Sequence, residues 1–141
     1  MSSKLSVLVT GGAGFLGSHL CRKLLNQNYK VICVDNFYSS QIKNIECLKN
    51  NSNFIFLEED VCNLNFDYKI DQIYNLACPA SPVHYQADPV KTIQTNILGS
   101  INILELAKKN KAKVLQASTS EVYGDPTISP QKENYWGNVN P

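Results

Sequence analysis

The sequence predicts an α/β fold in which a doubly wound parallel sheet has the strand order 3-2-1-4-5. Three observations predict it. An apolar run at 7–9 leads into glycines at positions 11, 14 and 17, where a helical pattern begins. Short apolar runs then alternate with helical stretches, which is typical of parallel sheets with crossover helices. The apolar run at 31–34 ends in the acidic Asp35, as the second strand of a Rossmann-type sheet does.

The elements follow from the spacing of apolar residues. The first helix carries Leu16, Leu20 and Leu24 at four-residue spacing, so these side chains should face the sheet. A short polar helix after the second strand should turn Ile45 and Leu48 inward. In order, we expect strands at 4–10, 30–35, 53–57, 71–77 and 113–118, and helices at 14–26, 42–49 and 89–109.

The long helix has a stripe of five apolar residues at helical spacing, which marks its predicted buried face. The stripe consists of Val90, Ile93, Ile97, Ile101 and Leu104. Residues 62–70, the stretch around His84 and the chain beyond Gly124 are expected to be loops. Beyond Gly124, Pro and Gly residues interrupt any periodic pattern.

Composition excludes several classes of function. The 141 residues carry a net charge of +1 with no basic cluster, which argues against a nucleic-acid partner. No apolar run approaches the roughly 18 residues of a membrane span, and no signal peptide is recognisable, so a cytoplasmic protein is expected. The five cysteines lack metal-ligand spacing, so they should be reduced, mostly buried thiols and no metal site is expected. They are Cys21, Cys33, Cys47, Cys62 and Cys78.

The glycine-rich turn predicts a site for a dinucleotide pyrophosphate at the start of the first helix. Gly11 would permit the tight turn, Gly14 would let the backbone approach the phosphates, and Gly17 would let the helix lie close to the sheet. The spacing is GxxGxxG rather than GxGxxG. The alternative is a plain glycine-rich turn.

Asp35 is expected to accept hydrogen bonds from the adenosine ribose hydroxyls. Its carboxylate would repel a 2′-phosphate, and no Arg occurs at 36–40, so the predicted cofactor is NAD rather than NADP. The alternative is a residue of a turn at the strand end or a helix cap.

Two segments follow the third and fourth strands at the same edge of the sheet. Asp60, beside Val61, could accept from the adenine amino group, or it could be a solvated acid at a strand end. Small residues at 76–82 would allow close approach to the nicotinamide half of the cofactor. The alternative there is a turn stiffened by proline, and both interpretations could hold.

The segment 117–124 follows the fifth strand, at the edge where ligands bind in open α/β sheets. Its Thr119, Ser120 and Glu121 place two hydroxyls and a carboxylate side by side, which suits the polarisation of a sugar hydroxyl and the movement of its protons. Alternatively, the segment is a polar strand end whose hydroxyls cap a turn.

At this point the chain resembles the extended short-chain dehydrogenase/reductase family of nucleotide-sugar epimerases and dehydratases, and within it the UDP-glucuronate decarboxylases (UDP-xylose synthases). The resemblance covers nearly the whole chain. It rests on TGGAGFLGSHL (10–20), VDNF (34–37), DQIYNLACPASPVHY (71–85), TNILGSINILELAK (95–108) and ASTSEVYGDPTISPQKENYWGNVNP (117–141). It implies bound NAD, a UDP-sugar substrate and a homodimer for full-length members. The implied reaction oxidises UDP-glucuronate at C4, releases CO2 from the 4-keto intermediate and reduces the ketone to give UDP-xylose.

The resemblance also implies roles for individual residues. Thr119 would hydrogen-bond the sugar 4-hydroxyl, Ser120 and Glu121 would assist proton handling, and Ser81 and Tyr85 would hold the substrate. The implied cofactor contacts are Gly11, Gly14, Phe15, Leu16, Gly17, Asp35, Asn36, Phe37, Ser39, Asp60, Val61, Leu76, Ala77, Cys78, Thr95 and Ala117.

The acid/base pair Tyr-x-x-x-Lys that the resemblance implies does not occur in these residues. Only five strands can be counted, and nothing resembles a substrate-binding domain. We therefore expect residues 1–141 to form one incomplete NAD-binding domain, truncated before the sixth strand and inactive alone. Two alternatives stay open. One is dTDP-glucose 4,6-dehydratase or another NAD-dependent sugar epimerase or dehydratase, although dehydratases typically have Asp where Ser120 stands. The other is a non-catalytic NAD-binding remnant.

Overall fold

The structure, a computed structural model, describes residues 4–64 and 67–140. Its described strands form one parallel sheet in the order β3-β2-β1-β4-β5, so the predicted fold class and strand order are confirmed. The strands are β1 (Ser6–Thr10), β2 (Lys30–Asp35), β3 (Phe54–Glu58), β4 (Gln72–Asn75) and β5 (Lys113–Gln116).

β1 is the centre of the sheet and is buried on both faces. Its residue Leu8 pairs with Ile32 of β2 on one side and with Ile73 of β4 on the other. Alternate residues of β1 therefore enter different cores. Val7 and Val9 pack in the same cluster as Cys21 and Leu24 on one face, and Leu8 packs with Ile103 and Ala107 on the other. Such double burial explains why the strands read as continuous apolar runs.

The helices lie between the strands in sequence. They are α1 (Phe15–Asn26), α2 (Pro82–Ala87), α3 (Pro89–Gln94) and α4 (Ser100–Asn110), and a π-helical segment, Thr95–Gly99, joins α3 to α4. Short 3-10 turns occur at Ile42–Asn44, Glu46–Leu48, Val61–Asn63 and Ser120–Tyr123. No helix among the described residues has both the length and the apolar content that crossing a bilayer needs.

The sheet-facing side of α1 differs from the prediction in one residue. Leu24 is buried and Leu20 is partly buried, but Leu16 is 70% exposed. The buried stripe of α1 begins at Gly17, and consecutive residues are about 100° apart around a helix. Leu16 therefore points away from the core.

The expected buried face of the long helix is wrong. The five stripe residues predicted to be buried are between 47% and 63% exposed, whereas Gly99, Ile103 and Ala107 are buried. The buried side carries two small residues, Gly99 and Ala107, beside Ile103, and the Asn102 amide donates to the carbonyl oxygens of Val61 at 2.9 Å and Cys62 at 2.8 Å in the 3-10 turn after β3. With this side packed inward, the apolar stripe faces away from the core.

Smaller predictions were partly correct. Ile45 and Leu48 are buried as expected, although the short polar helix is two 3-10 turns. His84 lies in α2 rather than in a loop. Cys62 and Asn63 belong to a 3-10 turn within the expected loop 62–70, of which 65–66 lie outside the described residues.

The expectation of mostly buried cysteines is wrong. Cys21 and Cys33 are buried, but Cys47 and Cys78 are exposed and Cys62 is intermediate; all five are free. The Cys21 thiol, together with burial, raises the pKa of Cys33 well above its usual value. These two buried thiols are therefore unreactive residues of the hydrophobic core.

Candidate cofactor site

A cavity opens at the carboxyl edge of the sheet, where the turns after β1, β2, β3 and β4 meet the start of the long helix. It is an open cleft with about 610 Å³ of empty space, a figure that includes solvent at its mouth. Most of the predicted cofactor residues line it: Gly11, Gly14, Asp35, Asn36, Ser39, Asp60, Val61, Leu76, Ala77, Cys78 and Thr95. The side chains of Phe15, Leu16 and Phe37, together with Gly17 and Ala117, do not.

The glycine turn shapes the floor of this cavity. Gly11 has a φ of +64°, and a Cβ there would stand 2.8 Å from the Leu76 carbonyl oxygen. A Cβ on Gly14 would meet only the Gly11 carbonyl oxygen, at 3.2 Å. Gly14 thus leaves its cavity side open to a ligand. A Cβ on Gly17 would overlap the backbone of Gly11 and Gly12, so Gly17 lets α1 pack on the turn rather than on the sheet.

The N-terminus of α1 stands at the cavity without a side-chain cap. Its N-cap residue is Gly14, and the first turn holds no acidic residue. The positive end of the helix dipole and the first amide groups are therefore available to an anion. Phe15 and Leu16 contribute backbone to this turn, while their side chains are 77% and 70% exposed.

Asp35 ties the glycine turn to the turn after β2. Its Oδ2 accepts from the Ala13 N–H at 2.9 Å, and its Oδ1 accepts from the Phe37 N–H at 2.9 Å and the Ser40 hydroxyl at 2.7 Å. The structure therefore shows Asp35 as a residue that holds a turn at the strand end. Asp35 also lines the cavity, and its hydrogen bonds to the adenosine ribose remain a prediction. Phe37 turns away and packs its ring 5.3 Å from that of Phe56.

Asp60 is a second carboxylate of the cavity that accepts three hydrogen bonds, one of them from a lysine. It forms an ion pair with Lys91, and it accepts from the Asn36 amide at 3.1 Å and the Cys62 N–H at 2.9 Å. Burial disfavours its charged form, but the hydrogen bonds from Lys91 and Cys62 outweigh burial and lower the pKa of Asp60 to about 2. The same hydrogen bond raises the pKa of Lys91. Burial and Asp60 raise the pKa of Cys62.

The predicted substrate residues lie outside this cavity. The Ser81 carbonyl oxygen accepts from the His84 N–H at 2.9 Å and the Tyr85 N–H at 3.0 Å, which begins α2. Tyr85 is 37% exposed. The turn at 76–82 therefore serves two purposes, because Leu76, Ala77 and Cys78 line the cavity while Ser81 starts a helix.

The predicted catalytic residues sit beyond β5 and are exposed. Thr119 is the N-cap of the 3-10 turn Ser120–Tyr123, and its hydroxyl accepts from the Glu121 N–H at 3.1 Å. The structure therefore shows the alternative role of this segment, in which a hydroxyl caps a turn. The catalytic roles of Thr119, Ser120 and Glu121 remain predictions.

The sequence did not predict two features of this edge of the sheet. One is Lys91, which lines the cavity and pairs with Asp60. The other is a polar chain across three neighbouring strand ends: the Thr10 hydroxyl donates to the Asn75 Oδ1 at 2.5 Å, and the Asn75 amide donates to the Gln116 Oε1 at 2.8 Å. The polar residue at or near the end of each of these three adjacent strands could have indicated this hydrogen-bonded chain in the sequence.

Within residues 4–64 and 67–140, no group of three or more His, Cys, Asp or Glu side chains could hold a metal ion.

Comparison with known families agrees with this geometry. The family described as GDP-mannose 4,6 dehydratase matches residues 8–138. The chain belongs to this family. Among curated relatives, the chain is 54% identical over 138 residues to UDP-glucuronic acid decarboxylase 1 of Arabidopsis thaliana, covering 98% of this chain and 32% of the relative. The chain thus spans about a third of that relative's length.

Solved structures of the epimerase/dehydratase type share the fold. UDP-N-acetylglucosamine 4-epimerase from Methanobrevibacter ruminantium M1, in complex with UDP-N-acetylmuramic acid, superposes with a TM-score of 0.84 at 32% identity, covering 99% of this chain and 45% of that one. dTDP-glucose 4,6-dehydratase from Bacillus anthracis, in complex with NAD, superposes with a TM-score of 0.79 at 28% identity. This match covers 97% of this chain and 45% of that one. The predicted resemblance to the NAD-dependent epimerase/dehydratase family is confirmed.

Proposed function

We propose that this chain binds NAD in the cavity at the carboxyl edge of the sheet, as the cofactor-binding part of an enzyme that decarboxylates UDP-glucuronate to UDP-xylose. The observation that carries the proposal is the 54% identity to a UDP-glucuronic acid decarboxylase, which includes this edge of the sheet. A cytoplasmic location, and a homodimer for the full-length enzyme, belong to the same proposal.

The described residues fit the dinucleotide. The glycine turn and the uncapped start of α1 would hold the pyrophosphate, because Gly14 leaves its cavity side open. Asp35 would accept from the ribose hydroxyls, and Asp60 from the adenine amino group. Leu76 to Cys78 would contact the nicotinamide half. When bound, NAD supplies hydride transfer to and from the sugar C4.

The segment after β5 would act on the sugar. Thr119 would hydrogen-bond the 4-hydroxyl, and Ser120 with Glu121 would receive and return protons. Ser120 also supports decarboxylation over the dehydratase alternative, because the resemblance implies Asp at this position in dehydratases.

Two measurements test the proposal. Calorimetric titration of the 141-residue chain with NAD should show binding; no binding would contradict the proposed cofactor. The chain alone should not turn over UDP-glucuronate, because it holds no Tyr-x-x-x-Lys.

A chimaera tests the reaction itself. Residues 1–141 joined to the remaining C-terminal part of the Arabidopsis relative should release CO2 and form UDP-xylose. Thr119→Val in the chimaera should lower kcat about 100-fold or more, whereas Thr127→Val, outside the predicted site, should not. Turnover of dTDP-glucose instead of UDP-glucuronate would favour the dehydratase alternative.

A further inference from the structure

Lys91 lines the cofactor cavity, although no sequence motif predicted it as a site residue. Among the described residues that line the cavity, Lys91 is the single Lys or Arg, against three carboxylates, Asp35, Glu59 and Asp60. It sits in the first turn of α3, whose N-cap Asp88 accepts from the Lys91 N–H at 2.9 Å. Its position is therefore fixed by its own helix start.

Lys91 completes a set of donors around Asp60. The ammonium group and the Asn36 amide both reach Asp60 Oδ2, while the Cys62 N–H reaches Oδ1. These donors come from three different parts of the chain: the turn after β2, the 3-10 turn Val61–Asn63 and α3. The side chains of Lys91 and Asp60 are only 26% and 21% exposed, so solvent screens the pair incompletely.

A carboxylate held in this way can only accept hydrogen bonds. A 6-aminopurine offers a donor at position 6, and a 6-oxopurine offers an acceptor there. A protonated or reoriented Asp60 would lose this distinction, since a carboxylic acid both donates and accepts. The chemical state of Asp60 therefore decides which purine the site prefers.

We propose that Lys91 is a positioning residue, which fixes Asp60 as an acceptor-only carboxylate so that the pair selects a 6-aminopurine over a 6-oxopurine at the adenosine end of the cofactor. This inference rests on the proposed NAD function. The role assigned to Lys91 acts through its ion pair with Asp60 and not through a contact with the cofactor.

The probes are NAD and nicotinamide hypoxanthine dinucleotide, which carries a 6-oxopurine in place of the adenine. The wild-type chain should bind NAD about ten-fold or more tightly, the range of one charge-assisted hydrogen bond. Lys91→Met should reduce this ratio to about three-fold or less, and Lys91→Arg should largely preserve it. Lys109→Met, which removes the exposed ion pair with Asp67, should leave the ratio unchanged.

The pH dependence of the ratio separates positioning from simple loss of structure. In Lys91→Met the ratio should fall further as pH drops from about 6 to 4, because Asp60 loses the cation that lowers its pKa from 3.8 to about 2. The wild-type ratio should stay constant over this interval. The other titratable groups near the pair are Cys62, Asp88, Glu59 and Asp35, and all of them are shared by both proteins.

A double variant tests whether Lys91 acts through Asp60. In Asp60→Asn, whose amide can both donate and accept, adding Lys91→Met should not change the ratio further. Circular dichroism verifies that each variant folds, and Lys91→Gln replaces Lys91→Met if the latter does not.

The outcomes are distinct. No binding of either dinucleotide by the wild-type chain overturns the proposed function. Preference for NAD that survives Lys91→Met, or an equal loss of affinity for both dinucleotides, overturns the role of Lys91 and leaves NAD binding intact.

Discussion

At the scale of single residues, Asp35 places a fixed negative charge on the cavity wall, because three protein donors hold its carboxylate. We expect NAD to bind at least about ten-fold more tightly than NADP, since a 2′-phosphate would meet this charge. Asp35→Ala should narrow the difference, measured as the two Kd values by calorimetry. Asp67→Ala removes an exposed carboxylate outside the cavity and should leave the difference unchanged. Equal or tighter binding of NADP by the wild-type chain would contradict the role of Asp35.

Asp60 makes acid stability a second test at this scale. Its pKa of about 2 in the folded chain lies below the usual 3.8, so its contribution to the free energy of unfolding is present above pH 3.8 and is lost as pH falls towards 2. The contribution is about 1 to 2 kcal/mol. Lys91→Met should lower stability by roughly this amount near pH 6 and by little near pH 2. Urea unfolding across this range measures the effect, and equal losses at both ends would refute it.

The cavity residues differ in how far the sequence predicted them. Gly11, Asp35 and Asp60 each stand next to a strand end, so the strand order alone brings them to one edge. Lys91 has no such signal. Its partner is 31 residues away, and the pairing depends on how α3 packs beside the turn after β3.

At the scale of elements, strands were predicted better than helix faces. A strand buried on both faces reveals itself by an apolar run, whatever lies against it. Helical periodicity locates an apolar stripe but does not say whether the sheet covers it. In the long helix the buried residues are Gly99, Ile103 and Ala107, and the π-helical segment shifts the phase of the residues that follow.

Gly99 packs against Val61, a residue of the cavity wall. A Cβ there would stand 2.7 Å from the Cγ2 of Val61, which itself lines the cavity. Gly99→Ala should therefore lower the free energy of unfolding by about 1 to 2 kcal/mol, despite the better helix propensity of Ala. Urea unfolding tests this, and NAD titration should show weakened binding.

A matched double variant provides the control for Gly99. Val61→Ala removes the methyl groups that the new Cβ would meet, so Gly99→Ala should cost less in the Val61→Ala background than in the wild-type chain. If the two costs are equal, contact with Val61 is not the reason for glycine at position 99.

At the scale of the whole molecule, the structure leaves large apolar surfaces uncovered. The stripe on the long helix and Leu115 of β5 are about half exposed or more. We expect the 141-residue chain to be marginally stable or to self-associate with rising concentration, and NAD to raise its Tm by mass action. Sedimentation velocity and thermal unfolding with and without NAD measure both effects. A monodisperse monomer with a high Tm that NAD does not change would contradict this expectation.

The position of β1 at the centre of the sheet has a consequence for synthesis on the ribosome. Leu8 pairs with Ile32 and with Ile73, so one partner is made 41 residues after the other. At about 5 to 20 residues per second, the ribosome needs about 2 to 8 s to add that stretch. During this interval the nascent chain can complete only one side of β1. The central strand of the finished sheet is therefore an edge strand while the chain is being made, with one row of backbone N–H and C=O groups unpaired.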